Sequence, residues 1–188
     1  MKKIILSAVL IMTIGFANAQ SKIEAKLNPL GALFGRPELN GEYIVTDHFG
    51  VELSLSTAFG KFGSSIGGSE KPTQSGFGVK VAGKYYFSPD KGGDGWYGGV
   101  YLRQESLTLK YSEAQYAISN YKSSVFAGGV EFGKKWVFDS GLLIELGAGV
   151  GRPFSEKREF TNSTSNYDNA SFEIGVDFTG KFAVGYRF

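Results

Sequence analysis

Residues 172–188 read FEIGVDFTGKFAVGYRF, and their alternation decides the fold. Phe172, Ile174, Val176, Phe178, Phe182, Val184, Tyr186 and Phe188 fall on one parity. Glu173, Gly175, Asp177, Thr179, Lys181, Gly185 and Arg187 fall on the other. A period of two is the mark of a β-strand whose faces meet different surroundings. The same grammar runs back through the chain. Leu142, Ile144, Leu146, Ala148 and Val150 alternate with Glu145, Gly147, Gly149 and Gly151. Phe77, Val79, Val81, Tyr85 and Phe87 enclose Lys80 and Lys84, and Val51, Leu53, Leu55 and Phe59 enclose Glu52, Ser54 and Ser56.

Eight such strands are expected, at 22–34, 38–46, 51–61, 76–87, 96–110, 122–137, 142–152 and 172–188. Their connections alternate in kind. Segments 47–50 (DHFG), 88–95 (SPDKGGDG) and 138–141 (FDSG) are short turns. Segments 62–75, 111–121 and 153–171 are longer and rich in Ser, Asn, Gly and charge, and only 35–37 is short where a long loop is due. An even number of strands with all short turns at one end is the layout of an antiparallel up-and-down barrel, and of outer-membrane barrels in particular.

Composition narrows the function. The chain has 188 residues with no Cys and a single His, His48, and 27 of its residues are Gly. Disulfide scaffolds, thiolate metal sites and cysteine nucleophiles are excluded, and a histidine-rich metal centre is not expected. Residues 1–19 (MKKIILSAVLIMTIGFANA) carry a basic start, an apolar run and a small-x-small end, so they read as a signal peptide cleaved before Gln20. Residues 20–188 then form one barrel domain. Without Lys2 and Lys3 it holds 18 acidic and 18 basic residues, which offers no general basic surface to nucleic acid.

The two faces say what each looks at. Glycines crowd the polar parity at Gly78, Gly99, Gly129, Gly133, Gly147, Gly149, Gly151 and Gly185. Glycine weakens a strand, but a narrow eight-strand interior needs small residues. The aromatics Tyr43, Tyr85, Phe87, Trp96, Trp136 and Phe138 lie on the apolar parity near the short turns, as one rim of a membrane-interface girdle would. The polar face is therefore expected inside. It holds Glu24, Glu42, Glu52, Glu105, Glu131, Glu145 and Asp177 against Lys26, Lys80, Lys84, Arg103, Lys135, Lys181 and Arg187. Buried charges persist when paired, so these fourteen residues are expected to form an ion-pair network that fills the interior.

At 26–35 (KLNPLGALFG), 98–104 (GGVYLRQ) and 185–188 (GYRF) the chain resembles a family of short outer-membrane barrels defined by a domain of unknown function. More broadly it is similar to OmpA-type eight-strand barrels. The resemblance implies a Gram-negative outer membrane, no reaction and no cofactor. Tyr186 and Phe188 resemble the C-terminal signal read by the barrel-assembly machinery.

Candidate chemical motifs are sparse. His48 has no serine set beside it by the strand register, the Gly147-x-Gly149-x-Gly151 run has no helix after it to make a phosphate loop, and DKGGDG lacks calcium-ligand spacing. The expected protein is thus non-enzymatic, with outer-membrane lipid around it and loops 62–75, 111–121 and 153–171 as its places for surface recognition. Two rival readings stay open, a secreted soluble barrel that holds a ligand and a lipid-modifying enzyme.

Overall fold

The computed structural model describes residues 23–33, 35–61, 73–110, 120–161 and 175–188. They form a closed antiparallel barrel of eight strands in sequential order: β1 (Ile23–Asn28), β2 (Glu38–Thr46), β3 (Phe49–Lys61), β4 (Thr73–Tyr86), β5 (Gly95–Lys110), β6 (Asn120–Val137), β7 (Leu142–Thr161) and β8 (Asp177–Arg187). Pairing of Glu24–Leu27 with Arg187–Val184 closes the ring. The expected signal peptide and the central parts of the three long loops lie outside the described residues.

Strand ends depart from the sequence expectation in both directions. β1 stops at Asn28 rather than 34, because Pro29 lacks a ladder donor and opens a five-residue helix, α1 (Pro29–Leu33). β7 continues to Thr161, so 153–161 is strand and not loop, as are 73–75 and 120–121. A bulge permits that extension: Ala127 pairs with Pro153 while Phe126 pairs with Ser155, leaving Phe154 as the extra residue. β8 spans Asp177–Arg187, with 175–176 outside it, and the expected strand residues 172–174 lie outside the described residues.

Burial is inverted relative to an ordinary domain. Glu24, Glu42, Glu52, Lys26, Lys84, Lys135 and Glu145 are all at most 1% exposed. Large apolar side chains such as Leu27, Phe77, Val100, Phe132 and Phe178 stand exposed outside. The buried apolar set among the described residues is small, and a third of it is tyrosine (Tyr86, Tyr97 and Tyr101).

Candidate functional site: an ion-pair plug beneath an open polar cavity

The interior has two halves. At the end of the short turns, inward positions of seven strands place Glu24, Lys26, Glu42, Glu52, Lys84, Lys135, Glu145, Lys181 and Arg187 in one network. Lys26 is its centre: Nζ lies 2.5 Å from Glu42 Oε2, 2.6 Å from Glu52 Oε2 and 2.5 Å from Glu145 Oε2. Lys84 Nζ donates to the same three side chains at 3.1, 2.7 and 2.6 Å. Lys135 bridges Glu24 (2.8 Å) and Glu42 (3.1 Å), and Lys181 reaches Glu52 and Glu145. The carboxylate oxygens of Glu42, Glu52 and Glu145 lie within 4.8 Å of one another, a spacing that would suit a metal. The Lys26 ammonium already fills the position that such a cation would take.

Two tyrosines complete the plug. Tyr86 donates to Glu42 Oε1 (2.5 Å) and Tyr97 to Glu145 Oε1 (2.7 Å), while Lys135 and Lys84 lie over their rings at 4.6 and 4.8 Å. The interior glycines make room for these rings. A Cβ at Gly133 or Gly147 would come 2.5 Å from the Tyr97 hydroxyl, and one at Gly151 would come 2.6 Å from that of Tyr101. Sequence reading missed Tyr86, Tyr97 and Tyr101 as interior residues, although parity held the signal. Tyr86 shares the parity of Lys80 and Lys84, and Tyr97 and Tyr101 share that of Arg103.

The turn 88–95 folds beneath the plug. Arg187 binds Glu24 through Nε (2.9 Å) and Nη2 (2.5 Å), and also donates to the carbonyls of Lys91 (3.0 Å) and Gly93 (3.1 Å). Gly93 N–H in turn donates to Asp47 O at 2.6 Å, tying this turn to the neighbouring one. Gly92, Gly93 and Gly95 supply the left-handed backbone that the tuck requires, at φ 73°, 59° and 82°. Lys91 also pairs with exposed Asp139 in the third turn, and that ammonium holds the Asp139 carboxyl below its ordinary range.

The half nearer the long loops is not filled, contrary to the expectation of a uniformly packed interior. It encloses a cavity of about 530 Å³, lined among others by Arg36, Lys80, Tyr97, Arg103, Glu105 and Glu131. Lys80 pairs with Glu131 at 3.2 Å. Arg103 binds Asp177 and Glu105, and Arg36 also reaches Glu105 from the connection after α1. Arg36 was not legible as an interior residue, because it lies outside any alternating run. The asymmetry follows from side-chain size: five long cations and two tyrosines converge on the turn-side half, while Ser54, Ser56, Gly78, Gly147 and Thr179 face the other.

All fourteen charged residues singled out from the sequence face the interior, divided between these two groups. The six girdle aromatics face out. Tyr85 and Phe87 meet edge-on at 5.9 Å, Trp96 stacks on Phe132 at 5.2 Å, and Lys134 Nζ lies 5.2 and 5.1 Å over Trp96 and Trp136. Tyr186 and Phe188 extend the same rim, with ring centroids 5.3 Å apart. His48 stacks on Tyr85, and its Nδ1 lies 2.8 Å from the Tyr86 carbonyl oxygen. That is a turn-fastening arrangement.

No curated protein and no solved structure matches the chain. A family model does, over residues 4–179, which is nearly all of the sequence and seven of the eight strands in full. The chain therefore belongs to the DUF3575 family, proteins of unknown function.

Proposed function

We propose that this protein is a non-enzymatic barrel of a Gram-negative outer membrane, with lipid around its apolar face, a closed end on the periplasmic side and its long loops outside as the surface for interaction. The observation that carries this reading is the outward apolar band. Along β4 and one residue past its end it runs from Phe77 to Phe87, both about half exposed at 53% and 52%. Ten residues at about 3.3 Å each, tilted by about 40°, span roughly 25 Å, the height of a bilayer-facing band. Beyond it the outward positions turn polar, as Gln104, Ser106, Thr108 and Lys110 on β5 and Ser124 and Lys122 on β6. Aromatics bound the lower rim. A soluble barrel holding an apolar ligand would need the opposite arrangement, and the interior here is charged.

Export through the leader 1–19 and insertion by the barrel-assembly machinery, with Tyr186 and Phe188 in its C-terminal signal, are parts of the same proposal. So is the absence of catalysis, which the fastening of His48 by a backbone carbonyl favours. The test is a heat-modifiability gel on isolated outer membranes. The unboiled protein should stay folded in SDS and migrate away from the boiled form. A protein recovered in the soluble fraction, with a single mobility, would overturn the reading.

A further inference from the structure

In the plug every charge is spent, but in the cavity above it two carboxylates are not. The cations on the cavity wall are all paired: Lys80 with Glu131, Arg103 with Asp177 and Glu105, Arg36 with Glu105, and Lys181 with Glu52 and Glu145 in the plug. The acids are not matched in return. Glu38 lines the cavity from β2, on the inward parity of Asn40 and Glu42, and has no ion pair among the described residues. Glu131 lines it from β6 and is 6% exposed. It accepts from Lys80 through Oε2 at 3.2 Å and leaves Oε1 with no partner. In a ring of eight sequential strands, β2 and β6 stand on opposite walls.

A buried carboxylate oxygen without a donor carries its full desolvation penalty, and a ligand that brings the donor removes it. This selects among ligands. An anion would have to break the Arg103–Asp177 or Lys80–Glu131 pair to reach a cation. A bare metal ion needs several carboxylates together. The one such trio among the described residues is Glu42, Glu52 and Glu145, and Lys26 already stands at its centre. An alkylammonium group needs neither. Its N–H donors make charge-assisted hydrogen bonds to carboxylates, roughly twice as strong as neutral ones. The cavity volume of about 530 Å³ falls within the roughly 300–1,000 Å³ of small-molecule sites.

We propose that the cavity is a binding site for a small aliphatic diamine, with one ammonium group donating to Glu131 Oε1 and the other to the Glu38 carboxylate on the facing wall. The ligand leaves every existing ion pair in place. The inference rests on the interior alone and not on what surrounds the barrel.

The test is a calorimetric titration of the folded full chain, in non-ionic detergent or in plain buffer if it proves soluble, with diaminoalkanes from diaminopropane to diamino-octane. One length should bind best, and the diol and the dicarboxylate of that length should give no heat. Glu38→Gln breaks no ion pair of the interior, and Glu131→Gln keeps an oxygen for Lys80. Each should weaken the best diamine about tenfold, as the loss of one charge-assisted hydrogen bond does. No heat from any diamine, equal binding of the diol, or an affinity unchanged by Glu38→Gln would overturn the proposal. Binding of the dicarboxylate in preference would overturn it too, making the cavity an anion site at Arg36 and Arg103. The heat-dependent gel shift, recorded on the same sample, judges the membrane reading separately.

Discussion

Lys26 illustrates what a buried ammonium requires. It is 1% exposed and meets three carboxylates at 2.5–2.6 Å, so its desolvation is offset only by near-contact with opposite charge. Removing it takes away the one ammonium within 2.6 Å of all three, and leaves Glu42, Glu52 and Glu145 to share Lys84, with Lys135 and Lys181 at the edges. Lys26→Met should therefore destabilise the barrel by about 3–5 kcal/mol, the usual cost of breaking a buried pair from one side. Lys181→Met should cost less, since Glu52 and Glu145 both keep Lys26 and Lys84. Urea titration of refolding into vesicles measures both. Equal losses, or none, would refute the claim that Lys26 is the centre of the plug.

At the scale of the element, alternation made most strands legible and connection chemistry did not. β2 runs at 38–46 as its pattern says, because its side chains alternate without interruption between the interior and the outside. Alternation alone overextends β1, because Leu33 falls on the parity of Ile23, Ala25 and Leu27 across Pro29, and parity cannot see a missing N–H. β7 outruns its pattern because its outer end passes through a bulge and then carries charge, both of which read as loop. The candidate site was legible in its charges and not in its shape. Parity gives the face of Glu145, but it does not tell that tyrosines occupy the hollows above the glycines or that one half stays open. The proposed lipid face makes a depth-dependent test on β5. Val100, 64% exposed in the middle of the band, should tolerate arginine at a cost of about 2–4 kcal/mol, and Thr108, beyond it, at about 0–1 kcal/mol. Equal folding free energies for Val100→Arg and Thr108→Arg in vesicles would remove the bilayer from around β5.

For the whole molecule, the two halves of the interior make a vestibule closed at one end. An ion entering from the loop side meets Lys80–Glu131 and the Arg103 pairs, then Tyr97 and the Lys26 and Lys84 ammonium groups among their carboxylates, and finally the turn 88–95 held by Arg187. To pass, it would have to displace ammonium groups from contacts of 2.5–2.7 Å without water to replace them. The barrel reconstituted in a planar bilayer should therefore give no conductance steps above the bare membrane at moderate voltage. Arg187→Ala, which unfastens the turn but leaves Lys26 and Lys84 in place, should remain silent too, because the turn closes only the outermost layer. Steps in the parent protein would mean that the plug rearranges in the bilayer. Steps in Arg187→Ala alone would shift the seal from the lysine–glutamate layer to the turn beneath it.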